Sequence, residues 1–362
     1  MGHHSRVSLT GLDHSRPRPG TGTPGTRTAW HGLPGPDSIW WLALVAAAFT
    51  VSQLVYVTHR QLGWDEVVYV SQVSKHAPAA MFDPARSRGV PLLVTPVMEV
   101  TSSVTVLRVY LAVVSGLGLF GALLAWRRLR PARVVALAGL VFGGLWVVRY
   151  YGSRAMPNLW LALAGLAAVG LFLRAAAVLT SGSGEEPPGQ DGARRRARWL
   201  LGGLAACITV ATLMRPGDAV FLAAPLVLAA LTVGRWRRWQ LIAVIVAGLG
   251  AGSVEWVVEA YARFGGVFSR LHAATAEQGG FGFHLGVLAE LHALNGPVQC
   301  RPCRIGWHHP ALSVWWLALP ALVALGLFAA RRAGQLDSGL LAAVCGLVVA
   351  VQYLFLLDYG DP

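Results

Sequence analysis

An all-helical, polytopic membrane protein is the fold class this sequence predicts, and three observations predict it. Of 362 residues, 55% are hydrophobic and only 13% are charged, and the mean hydropathy of +0.53 exceeds what a soluble domain needs. Apolar stretches long enough to approach the thickness of a bilayer recur along the chain. Every second connection between them is rich in arginine, as the loops on the cytoplasmic side of a membrane are.

About nine stretches read as membrane helices: Ile39 to Val57, Val104 to Trp126, Val134 to Val148, Leu159 to Leu173, Leu200 to Met214, Ala219 to Val233, Leu241 to Val258, Leu312 to Ala330 and Gly339 to Leu357. A span needs roughly 20 apolar residues, so the shorter ones draw on flanking residues such as Tyr150 and Tyr151. Arg127, Arg128, Arg130 and Arg133, then Arg194 to Arg198, then Arg235, Arg237 and Arg238, then Arg331 and Arg332 mark one side. The tail of residues 1–37, rich in Gly, Pro, Ser and Thr and carrying Arg6, Arg16, Arg18 and Arg27, reads as a disordered cytoplasmic segment. Residues 38–362 are then one transmembrane domain with its N-terminus inside.

The net charge of +13 is thereby topological. Dispersed arginines between apolar spans form no stripe for nucleic acid, and contact with membrane lipids explains them. Residues 174–198 form a cytoplasmic linker containing the disorder-prone SGSGEEPPGQDG from Ser181 to Gly192. No internal repeat is visible.

Two larger outer connections remain, 58–103 and 259–310, with short ones at Arg149 to Asn158 and at Arg215 to Asp218. In the first, helical spacing from Asp65 to His76 puts Asp65, Tyr69, Gln72 and His76 on one stripe of an interfacial helix. Asp65 and Glu66 are adjacent carboxylates at a membrane surface. Neighbours on a helix point about 100° apart, so one is the reacting base and the other supports it, with Asp65 favoured. The plain alternative is that both complement a helix dipole. Arg86 and Arg88, Arg154, and Arg215 with Asp218 bring guanidinium groups to the same boundary, where forked hydrogen bonds suit a lipid phosphate. Arginines also snorkel at helix ends, which explains any one of them equally well.

In the second large connection, Cys300 and Cys303 form a CxxC that reads as a disulfide in an oxidising compartment. The competing reading is a metal site with His308 and His309, whose spacing departs from familiar zinc patterns. GGFGFHLG, from Gly279 to Gly286, reads as a glycine-rich aromatic segment before a short interfacial helix bearing Leu285, Leu288 and Leu291. Glu255 and Glu259 share a face near the outer end of their span, where ionisable groups line cavities or form pairs.

LGWDEVVYVSQ after the first span, followed by RSRGVPLLVTP, SRAMPN and MRPGDA, resembles the GT-C glycosyltransferases. Within them it is most similar to dolichyl-phosphate-mannose-dependent mannosyltransferases and their bacterial relatives, over roughly the first 220 residues. The resemblance implies transfer of mannose or a similar sugar from a polyprenyl-phosphate carrier to a glycan, lipid or protein acceptor outside the membrane, with inversion. It implies Asp65, or Glu66, as base; Arg88, Arg154 and Arg215 on the carrier phosphate; and Trp64 and Tyr69 against sugar or acceptor. No cofactor is obligatory, though a divalent metal is compatible. Gly63 and Trp64 stand where the family's GPI-type branch carries His-Pro, and the chain ends at DYGDP where relatives continue, which reads as a C-terminal truncation. A transporter or lipid flippase of the cell envelope is the alternative from another class.

Overall fold

The computed structural model describes residues 38–57, 61–181, 190–277, 280, 282–283 and 310–352. Their regular structure is entirely helical, with thirteen α-helices and one 3₁₀ turn. Four helices are long and apolar enough to cross a bilayer: α4 (Val104–Trp126), α7 (Asn158–Ser181), α8 (Gln190–Met214) and α10 (Trp239–Arg263). The pair α5 (Ala132–Gly144) and α6 (Trp146–Gly152) makes a fifth if taken as one bent span. The protein is therefore a multi-pass integral membrane protein. The remaining apolar helices are α1 (Trp40–Val57), α9 (Pro216–Thr232), α12 (Pro310–Arg332) and α13 (Leu336–Val351).

α7 is the central helix. Leu159, Leu163 and Ala167 pack with α1, α4 and α5, while Ala168, Phe172 and Ala176 pack with α8, α9, α10 and α13. Helices in lipid gain little from hydrophobic exclusion and depend on close backbone approach. α8 and α10 achieve it through Gly248 and Gly252: a Cβ on either would lie 2.7 Å from the carbonyl oxygens of Ala205 and Thr209 respectively.

Three sequence expectations change. The predicted span from Val134 to Val148 breaks at Leu145, where ψ is 132°, and α5 meets α6 at 78°. Gly143 and Gly144, poor helix formers, immediately precede that break. The interfacial helix predicted from Asp65 to His76 stops earlier, as α2 (Trp64–Ser71). Ser71 Oγ accepts from Ala80 N at 3.0 Å and Gln72 Nε2 donates to Ala80 O at 2.8 Å, so residues 72–80 fold back instead of extending the helix. The linker predicted from Ser181 to Gly192 is helical at both ends, since α7 reaches Ser181 and α8 starts at Gln190; residues 182–189 lie outside the described residues. So do Cys300, Cys303, His308, His309, Leu285, Leu288 and Leu291.

One end of the bundle carries a layer of short elements: α2, α3 (Gly89–Met98), the turn before α7, and α11 (Val267–Glu277). Val68, Phe82, Val90, Val94, Leu107 and Met214 form a small core beneath this layer. Just beyond the end of α10, Gly265 and Gly266 have φ values of 75° and 126° that suit glycine and turn the chain into α11. α3 begins at Gly89, where a Cβ would lie 2.4 Å from Leu213 O, so the layer sits directly on the end of α8.

Candidate functional site

The loop layer is held by two buried ionic knots, and the residues singled out in the sequence are distributed between and around them. The first knot centres on Glu66. Its side chain is 1% exposed and that of its partner Arg108, from α4, is 2% exposed. Arg108 grips both carboxylate oxygens, with Nη2 at 2.9 Å from Oε2 and Nη1 on Oε1. Backbone N–H groups of Gly63 and Ala155 donate at 3.0 and 2.9 Å, and Arg154 Nη1 lies 3.4 Å away. Arg108 further donates to Ser153 O at 2.9 Å and Gln61 O at 2.8 Å. Burial alone would push the Glu66 carboxyl up, but Arg108 and the two N–H donors outweigh it and hold the group below its ordinary value. Glu66 is thus enclosed, ionised and joined to α4 and the 153–155 turn.

Asp65, its neighbour, points elsewhere. Its side chain is 49% exposed, and Oδ1 accepts from Arg86 Nη2 at 2.7 Å. Arg86 also pairs with Asp83 and lies 5.1 Å from the Tyr69 ring centroid. Burial weakens the charged form of Arg86, yet Asp65 and Asp83 more than offset that and raise its pKa. Tyr69 is 6% exposed and edge-on to Phe82 at 6.1 Å. Burial pushes its hydroxyl up, and the positive charges of Arg86 and Arg215 only partly oppose that. Trp64 is 82% exposed, free to meet a ligand from solvent.

The second knot centres on Glu259. Its Oε1 accepts from Arg88 Nη2 at 2.5 Å and Nε at 3.1 Å, and from Arg263 Nη1 at 3.0 Å. Its Oε2 accepts from Arg270 Nη2 at 2.9 Å. Arg270, from α11, is fully buried and lies against Trp256 and Phe264, with ring centroids at 4.5 and 4.8 Å. It donates to the carbonyls of Pro84, Arg86 and Trp256 at 3.1, 2.8 and 2.7 Å, which fixes the segment carrying Arg86. Glu255 sits 3.8 Å from Arg88 Nε, so the two glutamates do pair with charge near the end of α10.

Arg88, Arg154 and Arg215 therefore do not converge on one acid. Arg88 belongs to Glu259; Arg154 belongs to Glu66 and stacks 3.9 Å from the Tyr150 ring centroid. Arg215, at the start of α9, lies 3.1 Å from Asp218, which accepts from Gln352 Nε2 at 3.0 Å. Arg86 is the arginine that meets Asp65. The sequence pattern does not single out Arg108 or Arg270. For Arg108 a signal nonetheless exists: a lone arginine five residues into an apolar span demands a partner.

Arg215 and Asp218 line the rim of a cavity of about 450 Å³ among α4, α5, α7, α9 and α13. Below them the walls are Leu161, Gly165, Val169, Leu222, Val349 and Trp126. From Asn158 to Val169 the cavity follows α7 for about 16 Å at ~1.5 Å per residue. It thus runs along a helix long and apolar enough to cross a bilayer, with polar residues at one end and apolar walls. Asn158 Oδ1, at that rim, is buried without a hydrogen-bond partner among the described residues. Among the described residues, no three His, Cys, Asp or Glu side chains gather as metal ligands. No protein-family model matches the chain, and no curated protein or solved structure matches it.

Proposed function

We propose that the protein is a membrane glycosyltransferase that moves a sugar, mannose or a close analogue, from a polyprenyl-phosphate carrier to an acceptor hydroxyl, with inversion. The observation that carries the reading is the division of the acidic pair. Glu66 is consumed by a buried knot, whereas Asp65 stays half-exposed with Arg86 upon it. A base has to reach solvent or substrate to accept a proton, and Asp65 meets that condition. Glu66 serves by fixing α2, the helix that presents Asp65.

In this reading Asp65 takes the acceptor proton as the hydroxyl oxygen bonds to the sugar's anomeric carbon. The bond from that carbon to the phosphate oxygen breaks, leaving charge on the lipid phosphate. In this reading Arg86, paired with Asp65, and Arg215, which lines the cavity, are the guanidinium groups that stabilise it. The cavity below Arg215 would take the first part of the carrier chain, and Trp64 would meet sugar or acceptor. The about nine spans, the cytoplasmic N-terminus and the outward direction of the loop layer belong to the same proposal. Single-cysteine labelling from either side of sealed vesicles tests that topology.

The deciding assay supplies purified protein with radiolabelled polyprenyl-phosphate mannose and a hydroxyl acceptor. Asp65→Asn should lower turnover by about 10²-fold or more, in the range expected for a lost base. Wild-type turnover in that variant would remove the assignment. A membrane-depth cavity bearing an Arg–Asp pair also suits a lipid flippase. Movement of the carrier across vesicles, without sugar transfer by the wild type, would favour that second reading.

A further inference from the structure

At the loop end of the bundle arginines meet carboxylates; at the opposite end one group of arginines does not. Arg174 of α7 directs Nη1 to the last carbonyls of α4, Leu124 at 3.3 Å and Ala125 at 3.4 Å. Its Nε is buried without an acceptor among the described residues. The charges that act on Arg174 are Arg196 of α8 and Arg128 just beyond α4, both cations. Among the described residues, none of these three arginines forms an ion pair, although Glu66 alone engages two arginines and Glu259 three. Two carbonyl dipoles do not neutralise three guanidinium groups.

Among the described residues no carboxylate pairs with this cluster, and a phosphate offers oxygens in the fork geometry that guanidinium prefers. The surroundings indicate its source. Trp199, one helical turn beyond Arg196, and Trp239 at the start of α10 are each 73% exposed on this end of the bundle, as aromatic residues at the membrane interface are. Trp126 closes α4 at the same level, its Nε1 donating to Leu166 O at 2.9 Å. The cations thus accompany exposed tryptophans at the ends of apolar helices, the setting in which basic pockets hold anionic lipids. We propose that Arg174, Arg128 and Arg196 form a discrete site for the phosphate of one anionic phospholipid. It is separate from the Asp65 region and does not depend on the glycosyltransferase reading.

Detergent-purified full chain titrated with phosphatidylglycerol, phosphatidylcholine or inorganic phosphate, and followed by thermal shift and native mass spectrometry, tests the site. Phosphatidylglycerol should bind saturably and raise Tm, whereas the other two should not at equal concentration. Arg174→Gln also removes a cap from α4 and so lowers stability by itself. The informative variants are therefore Arg128→Gln and Arg196→Gln, whose side chains are exposed and make no hydrogen bond among the described residues. Each should weaken phosphatidylglycerol binding about fivefold. Arg332→Gln, at the end of α12, should leave it unchanged. Wild-type affinity in the Arg128→Gln/Arg196→Gln double variant would overturn the proposal. So would equal weakening by Arg332→Gln, which signals a diffuse field, or an equal response to inorganic phosphate or phosphatidylcholine.

Discussion

Glu66 of α2 and Arg108 of α4, 42 residues apart in the chain, form a two-pronged ion pair with side chains only 1% and 2% exposed. Removing one member of a buried pair leaves the other charge uncompensated, at a cost of about 3–5 kcal/mol. Glu66→Gln should therefore lower unfolding stability by that amount in detergent, read by chemical or thermal denaturation. Asp65→Asn, which affects a half-exposed pair with Arg86, should change it by about 0–1 kcal/mol. The double variant Glu66→Gln/Arg108→Met should recover part of the loss, because only Arg154, whose side chain is 18% exposed, is then left without its acid. Equal destabilisation by Asp65→Asn and Glu66→Gln would contradict this division of roles.

The same pair sets an acid limit. In the fold the Glu66 carboxyl is held below its ordinary value, while in the unfolded chain it reverts to about 4.3. The unfolded state consequently binds the proton first as pH falls. The stability Glu66 contributes is fully present above about pH 5, begins to fall near the unfolded value, and is lost as pH drops through the folded one. Midpoints measured from pH 6 down to pH 3 should fall more steeply for the wild type than for Glu66→Gln. Parallel pH curves for the two proteins would show that Glu66 is not ionised in the fold.

Close approach of α8 and α10 gives a prediction independent of charge. A Cβ at position 252 would fall 2.5 Å from Thr212 Cβ and 2.7 Å from Thr209 O. The second contact is backbone, so a rotamer change cannot relieve it. Gly252→Ala should cost about 1–3 kcal/mol through displacement of the helices. Gly250→Ala, with nothing within 4 Å of the added carbon, should instead be neutral or slightly stabilising. A denaturation midpoint that falls more for Gly250→Ala than for Gly252→Ala would refute the packing described for this helix pair.

How far the sequence could be read depends on how local the controlling physics is. Spans such as α4, α7 and α10 follow from composition over some twenty residues, so hydropathy locates them. The break at Leu145 and the early stop at Ser71 depend on packing and on hydrogen bonds to Ala80, which periodicity does not contain. The acidic pair is visible in the sequence, and its helical phase separates the two carboxylates and favours Asp65 as the base, without saying what holds Glu66. Which of them is buried depends on Arg108, in a distant span, and on the N–H of Ala155. Arg86 and Arg88, two residues apart, were indistinguishable until the fold sent one to Asp65 and the other to Glu259. Arg270, in VFSRLHAATAE, carries no signal, because its partners are backbone carbonyls of Pro84, Arg86 and Trp256 together with Glu259, brought to it by the fold.

The cavity beneath Arg215 separates chain recognition from chemistry. Ala162 lines it and is exposed, so a larger side chain there enters the open space without displacing the core. If the carrier chain occupies that space, Ala162→Phe excludes part of it. Exclusion of three methylenes costs about 2.4 kcal/mol at about 0.8 kcal/mol each. With a long-chain polyprenyl-phosphate sugar, KM should rise roughly 50-fold at nearly unchanged kcat, since uniform binding is removed and Asp65 is untouched. With a donor whose chain is shortened to one isoprene unit, wild type and variant should behave alike, because that chain is too short to enter far. A variant that impairs both donors equally would place its effect on the rim or on folding, and one that impairs neither would remove the cavity from the chain's path.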